Sequence, residues 1–169
     1  MSSPGPFVTA LRTVLLRELG AVRREIEAYP DDMTPWVEVP GLPNTGGNLA
    51  LHIAGNLRHF LGRNMGGIEY VRDRDSEFAR REGSRAELLA AVDGALAAVE
   101  RTLGSLGDEA LLAVYPQAVG GRRLVTGDFL THLAVHLAYH LGQLDAHRRA
   151  VTGDRSGVGA MALDAIPDV

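Results

Sequence analysis

The sequence contains no cysteine and no lysine. Without cysteine the chain has no disulfide, no thiolate metal ligand and no thiol nucleophile of its own, so histidines and carboxylates must hold any bound metal ion. All 17 basic residues are arginines, against 21 acidic residues, and the net charge is −4. A chain without a basic excess has little electrostatic attraction for a phosphate backbone or an anionic membrane. We therefore expect neither a nucleic acid nor a membrane as partner.

Long hydrophobic runs are also missing. No segment approaches the ~18 uninterrupted apolar residues of a membrane span, and the start, Met-Ser-Ser-Pro-Gly-Pro, lacks the charged and apolar regions of a signal peptide. These absences predict a cytoplasmic protein. With 169 residues, of which 46% are hydrophobic, the chain is long enough to bury one core, and we expect a single domain over residues 1–169.

Four segments carry apolar residues at the three- and four-residue intervals of amphipathic helices. They run from Phe7 to about Ala28, from about Asn48 to Asn64, from the capping box Ser84-x-x-Glu87 to Leu103, and from Thr126 or Asp128 to Gly153. Strand alternation is weak everywhere; residues 114–117 and 124–126 allow a short hairpin around Gly120-Gly121. The pattern predicts an all-α four-helix bundle.

Two stretches of the chain have no helical pattern. Residues 29–48 form a long loop between the first two helices, which contains the only tryptophan, Trp36, and either walls a pocket or anchors the loop on the bundle. The C-terminal tail from Asp154 is predicted to be irregular and to dock through Met161, Leu163 and Ile166. Within the predicted helices, some of the glycines are expected to permit close helix contacts: Gly55, Gly62, Gly94 and Gly142.

Histidines recur along the last predicted helix. His132, His136 and His140 are four residues apart, so neighbouring imidazoles lie one turn apart and can share a metal ion. His132 and His140 are two turns apart, ~12 Å along the axis, so all three cannot bind one ion. Two of the three are therefore candidate ligands, and His136 belongs to either pair.

A second helix must supply the third ligand. His52 is the best candidate, because Leu51 and Ile53 flank it with apolar side chains, and His59 could extend the same polar stripe. A buried imidazole without a partner is costly, and a metal ion is one way to satisfy it. The alternative is that these histidines are hydrogen-bonded core residues that bind no metal.

Several other chemistries are excluded. No glutamate follows the first histidine of either His-x-x-x-His pair, which excludes the metalloprotease motif, and no Glu-x-x-His pair of a di-iron bundle occurs. The chain also lacks a Gly-x-Ser-x-Gly motif and a phosphate-cradling glycine loop.

Two motifs carry a family resemblance. Leu49 to Leu57 reads Leu-Ala-Leu-His-Ile-Ala-Gly-Asn-Leu, and His136 to Gln143 reads His-Leu-Ala-Tyr-His-Leu-Gly-Gln. In this order the motifs resemble the DinB/YfiT-like superfamily of metal-dependent enzymes. The resemblance implies a four-helix bundle with one divalent metal ion on His52, His136 and His140. One departure is Leu141, which stands where the family pattern usually has an arginine.

The resemblance also implies a function. Members of the superfamily include transferases and isomerases that use thiols such as bacillithiol or mycothiol. They often form homodimers, so the resemblance also implies a homodimer for this chain. The leading hypothesis is a metal-dependent enzyme that transfers a low-molecular-weight thiol to a small electrophilic substrate. Because the chain has no cysteine, the sulfur must come from that small molecule. The alternatives are a hydrolase that uses a metal-bound water and a non-catalytic metal-binding bundle.

Three histidines accept several ions, with Zn or Ni as the first expectation and Fe, Co or Mn as alternatives. Gln143 and Tyr139, one turn from the ligands, and Asn56 on the second helix are the candidate catalytic residues, which would orient a ligand ring or the substrate. Ordinary hydrogen bonding between helices is their alternative role. Some arginines are candidates for receiving a substrate carboxylate: Arg58, Arg63, Arg148 and Arg149.

Overall fold

The computed structural model describes residues 4–167 and shows six α-helices. They are α1 (Pro6–Glu27), α2 (Gly46–Leu57), α3 (Arg74–Ala79), α4 (Arg85–Leu103), α5 (Glu109–Leu112) and α6 (Thr126–Thr152). A π-helical turn, Arg58–Arg63, extends α2, and short 3-10 turns cover Thr34–Trp36 and Leu163–Ala165. No strand occurs among the described residues, so the predicted all-α class is confirmed.

Side-chain caps start two of the long helices. The hydroxyl of Ser84 accepts a hydrogen bond from the amide of Glu87, and the Glu87 carboxylate accepts one from the amide of Ser84, as the predicted capping box requires. Thr45 and Asn48 form the same reciprocal pair, so α2 begins at Gly46, earlier than predicted. Gly153, in the left-handed conformation, ends α6 at the predicted residue.

The long helices pack as a bundle in which α1 and α2 each contact both α4 and α6. The helices α2 and α6 run antiparallel, because His52 lies beside His136 and His140 while Phe60 and Phe129, farther along, have ring centroids 5.1 Å apart. The predicted leucine stripe of α6 is buried in the core: Leu133, Leu137, Leu141 and Leu144. No described helix has the length and apolar character needed to cross a membrane.

The hairpin expected between α5 and α6 is reduced to two isolated bridges. Val114 pairs with Val125, and Val119 pairs with Arg122 at the turn. The backbone amide of Tyr115 donates to Leu124. The chain reverses there, but the ladder is too short to form strands, so the expected hairpin strands are wrong.

The loop between α1 and α2 is anchored by Trp36. The indole is 6% exposed, its Nε1 donates to the carbonyl of Gly83 at 2.8 Å, and its ring packs on Gly47. A side chain at Gly47 would meet the ring, since an added Cβ would lie 2.6 Å from it. Trp36 is therefore the anchor of the loop. Another part of the loop, at Leu42 and Pro43, does line a small cavity next to Gln143.

The C-terminal segment follows the predicted irregular course, but the expected docking residues are wrong. Met161, Leu163 and Ile166 are all exposed. Arginines hold the segment instead by donating to its carbonyls: Arg24 to Val158, Arg17 to Ala162 and Arg148 to Ser156. Every residue has a backbone carbonyl, so contacts of this kind leave no mark in the apolar pattern of the sequence. The apolar pattern therefore predicted the wrong contacts.

Three of the four helix glycines do mark close contacts, and at Gly94 an added Cβ would lie 3.2 Å from the Arg58 guanidinium. A Cβ at Gly62 would lie 3.0 Å from the Cβ of Ala98 on α4, and one at Gly55 would lie 2.0 Å from the Glu77 carboxylate. At Gly142 the same atom would meet nothing within 4 Å, so the expectation fails there.

A buried ion pair joins α1 to α6. The side chains of Arg148 and Glu25 are both fully buried and hydrogen-bonded to each other, and Arg148 also reaches Asp145. Burial raises the pKa of Glu25 to about 7, against the opposing effect of Arg148. The expectation that Arg148 receives a substrate carboxylate is wrong, because its guanidinium is enclosed by these partners.

Replacing Arg148 with alanine is expected to destabilise the fold by about 3–5 kcal/mol, because it leaves the Glu25 carboxyl buried without its partner. Arg149→Ala is the matched control. Arg149 is half-buried and pairs with the same Asp145, so its loss should cost no more than about 1 kcal/mol. Urea denaturation of both variants measures the difference, and equal losses would contradict the assignment.

His147 is a second buried polar residue with a structural role. Its side chain is fully enclosed, the Tyr29 hydroxyl donates to Nδ1 at 2.7 Å, and Nε2–H donates to the carbonyl of Val37 at 2.8 Å. The contact from Tyr29 requires the neutral ring, because a protonated Nδ1 has no lone pair to accept the hydrogen bond. Burial lowers the pKa of His147, and the hydrogen bond to Val37 offsets only part of that effect.

The His147 ring is therefore protonated only at a lower pH in the folded state than in the unfolded state, where its pKa is near 6.5. More protons bind to the unfolded chain below that pH, so His147 reduces stability as the pH falls. We expect His147→Gln to lose less stability than the parent between pH 8 and pH 5.5, as measured by urea denaturation. His132→Gln, at an exposed histidine of the same helix, should follow the parent, and a parent-like slope for His147→Gln would refute the assignment.

Candidate metal centre

Three histidines from two helices meet between α2 and α6. The Nε2 atom of His136 lies 3.3 Å from Nε2 of His52 and 3.1 Å from Nε2 of His140. One nitrogen from each ring falls within 4.8 Å of the others, so the group could hold a metal ion. The structure thus brings together the three residues that the family resemblance named.

The spacing of these nitrogens suits a single ion. Two nitrogens that each bind an ion at about 2.1 Å lie roughly 3.0 Å apart at a right angle and roughly 3.4 Å apart at the tetrahedral angle. The distances of 3.1 and 3.3 Å fall within this interval. Little movement of the rings would be needed to bind.

Hydrogen bonds on the far side of two rings decide their tautomers. Nδ1 of His52 lies 3.0 Å from Oε2 of Glu77, and Nδ1 of His140 lies 2.7 Å from Oε1 of Gln143. Both oxygens only accept, so each Nδ1 carries the proton and each Nε2 presents a lone pair. The two lone pairs meet at Nε2 of His136. A single proton on Nε2 of His136 cannot form a full hydrogen bond to both lone pairs, whereas a metal cation can accept a lone pair from each ring.

The rings of His136 and His140 are neutral near pH 7. Burial lowers the pKa of His136 to about 4, and the neighbouring His140 and His52 and the cation of Arg72 act in the same direction. Burial also lowers the pKa of His140, although the hydrogen bond to Gln143 opposes it. Neutral imidazole is the form that binds metal, so both rings are available as ligands.

A buried ion pair holds His52 in place. Arg72 donates two hydrogen bonds to Glu77, from Nε to Oε1 at 2.7 Å and from Nη2 to Oε2 at 2.8 Å. Burial would raise the pKa of Glu77, but the hydrogen bonds from Arg72 and His52 outweigh it and the pKa is lowered. Glu77 is therefore a carboxylate that accepts from His52, the arrangement that orients metal-binding histidines.

The backbone places Glu77 against α2. Asp73 caps α3, and the side-chain Nδ2 of Asn48 donates to the backbone carbonyls of Glu77 and Arg80, both at 2.9 Å. Gly55 leaves the space that the carboxylate fills. Sequence reasoning missed Glu77 and Arg72. The only signal was the dense charge of residues 72–77, which is equally typical of a solvated turn.

The three candidate catalytic residues lie near the cluster in different settings. Gln143 contacts His140, while Tyr139 is 64% exposed with its ring centroid 5.2 Å from that of His140. Asn56 is buried on α2, one turn beyond His52, and its Oδ1 has no partner among the described residues. Their catalytic roles stay predictions.

The remaining histidines lie outside the three-nitrogen group. His132 is exposed, with its ring centroid 6.0 Å from that of His136, and His59 sits in the π-helical turn. Leu141, at the position where the family pattern has an arginine, is buried in the core. His136 and His140 are only half-buried, so part of each ring reaches solvent.

Removing the carboxylate that orients His52 is expected to weaken binding of added Zn²⁺ about 10- to 100-fold in Glu77→Ala. Glu77→Gln retains an acceptor oxygen and should lose less. Competition with a chromophoric chelator measures the affinities, with Glu82→Gln on the exposed loop after α3 as control. Unchanged affinity in a folded Glu77→Ala protein would show that Glu77 does not support the site.

Comparison with known proteins adds an independent observation. No curated protein and no solved structure is significantly similar to the chain. The family model of the DinB superfamily, however, matches residues 14–144, which span α1 to most of α6 and include all three clustered histidines. The match covers well over half of the sequence, and the chain belongs to the DinB superfamily.

Proposed function

We propose that this protein is a metal-dependent enzyme that holds one divalent ion with His52, His136 and His140 and transfers a low-molecular-weight thiol to an electrophile. The observation that carries the proposal is the convergence of three Nε2 atoms, two of them fixed as acceptors by Glu77 and Gln143. Three neutral ligands leave the ion its full charge and at least one open position, as in catalytic sites.

An ion in this site would supply the positive charge that lowers the pKa of an entering thiol or water. The chain's own residues orient the reaction. Glu77 and Gln143 hold two rings, and Phe78 packs on His52 with ring centroids 4.7 Å apart, so it limits the approach of water from α3. The substrate must enter from the side of α6, where His132 and Tyr139 are exposed.

Thiol transfer balances as a substitution. The thiol loses its proton to solvent, its sulfur forms a bond to the electrophilic carbon, and the leaving group departs with the electron pair of the broken bond. No sulfur of the chain can take part, since the sequence has no cysteine. The thiol must therefore be a diffusible substrate, which requires the open side of the site.

Metal content tests the ligand set. The parent protein, loaded with Zn²⁺ or Ni²⁺ and desalted, is expected to retain about one equivalent by elemental analysis, and His52→Ala, His136→Ala and His140→Ala should retain far less. His132→Ala is the matched control, because it removes an exposed histidine one turn from His136 and should retain the parent's content. Parent-like retention in the three ligand variants would overturn the proposed site.

Product analysis tests the reaction. The loaded protein is incubated with 1-chloro-2,4-dinitrobenzene and bacillithiol, mycothiol or glutathione, and mass spectrometry identifies the products. A thioether formed by the parent and lost in His136→Ala is expected. Formation of dinitrophenol alone would replace thiol transfer by hydrolysis. A loaded protein that forms neither product and loses thermal stability on chelation would favour a structural metal site.

A further inference from the structure

Unpartnered polar atoms are concentrated at the end of α2 and in the π-helical turn that follows it. Among the described residues, Oδ1 of Asn56, Nδ1 of His59 and both amide atoms of Asn64 are buried without a hydrogen-bond partner. Buried polar groups nearly always have partners, so such a concentration calls for a ligand or water. Turns of π-helix also recur at functional sites.

Two of these residues share the face of His52. Asn56 lies four residues beyond His52 and His59 seven residues beyond, which places all three on one side of the helix. On that side His52 contacts His136 of α6, and farther along Phe60 packs on Phe129 of α6; His132 lies one turn before His136. The ring centroids of His132 and Phe129 are 6.1 Å apart with nearly parallel planes. The histidine cluster therefore continues into a strip between the two helices.

Arg72 borders the strip on its other side. Its Nη2 lies 3.2 Å from Nδ1 of His52, and its guanidinium carbon lies 5.8 Å from the centre of the Phe60 ring. One side chain thus spans from the histidine cluster to the π-helical turn. The strip has polar atoms from α2, aromatic rings at its far end and the cluster at its near end.

The groups of the strip that lack hydrogen-bond partners carry no charge. Both hydrogen bonds that Arg72 makes to a carboxylate go to Glu77, so its charge is already paired. Burial and the cations of Arg72 and Arg63 lower the pKa of His59, which keeps its ring uncharged near pH 7. The Oδ1 atom of Asn56 only accepts. A matching group must donate a hydrogen bond and carry no negative charge.

We propose that Asn56 and His59 form a subsite that binds a neutral hydroxyl or amide group of the thiol substrate, with Asn56 Oδ1 accepting its hydrogen bond. The inference rests on the proposed function, because it places the sulfur at the three histidines. Asn56 is one helical turn, about 6 Å, beyond His52. A donor two or three carbons from the sulfur spans that distance.

Four three-carbon thiols test the subsite with the Co²⁺-loaded protein. They are 1-propanethiol, 1-thioglycerol with hydroxyls, 3-mercaptopropionamide with an amide, and 3-mercaptopropionate with a carboxylate. Dissociation constants come from the sulfur-to-cobalt absorption. We expect the hydroxyl or the amide thiol to bind roughly three- to tenfold tighter than 1-propanethiol, and the carboxylate to gain nothing. Comparing 1-thioglycerol with 3-mercaptopropionamide shows whether the subsite prefers a hydroxyl or an amide.

The variant Asn56→Leu has nearly the same size but no acceptor. It should lose the preference for the polar thiol and keep the parent's affinity for 1-propanethiol. Its metal-free form should be at least as stable as the parent in thermal unfolding, because the substitution removes a buried acceptor that had no partner. Asn64→Leu is the matched control: it removes the other unpartnered amide, two turns farther along, and should retain the preference.

The outcomes separate this inference from the function on which it rests. If all four thiols perturb the cobalt spectrum with equal affinity, the subsite is refuted while thiol binding stands. An Asn56→Leu protein that is destabilised but retains the thiol preference assigns Asn56 a structural role and also refutes the subsite. If no thiol perturbs the spectrum of the loaded protein, the proposed thiol chemistry itself fails.

Discussion

The antiparallel contact between α2 and α6 is the constraint on which the site depends. Each helix contributes only part of the histidine cluster, and neither can complete it alone. The leucines of α6, such as Leu137 and Leu141, are buried beside the histidines and lock the rotation of the helix. With that rotation set by apolar packing, His136 and His140 must face α2, where His52 meets them.

All basic side chains of this protein other than histidine are arginines, and each buried glutamate is paired with one of them. Each of the buried glutamates Glu18, Glu25 and Glu77 has an arginine neighbour, at Arg17, Arg148 and Arg72. The planar guanidinium can donate to both oxygens of a carboxylate, which a lysine ammonium does less well. At Glu77 this pairing keeps the carboxylate charged, so the same ion pair that stabilises the fold also fixes the tautomer of His52.

His147 and the strip differ in how far their buried polar groups are hydrogen-bonded. At His147 both ring nitrogens have partners, and its contacts with Tyr29 and Val37 tie α6 to the preceding loop. In the strip beside the histidine cluster, Asn56 and His59 are left with unpartnered atoms. Folding alone does not favour such atoms, since each lost its contact with water. The proposed subsite would use these atoms, whereas His147 serves the fold.

Local patterns determined much of this protein. Apolar periodicity predicted the four long helices, Ser84 and Glu87 predicted a cap, and the spacing of His136 and His140 predicted adjacent rings, because each signal acts within a few residues. The spacing left His132 and His140 as equal partners for His136, and the family resemblance chose between them. Only the tertiary structure brought Glu77 and Arg72 to His52, exposed Met161 and enclosed Arg148. Those placements bring together residues from different elements of the fold. A helix as short as α3 is also too short for an apolar period to predict which side chain it buries.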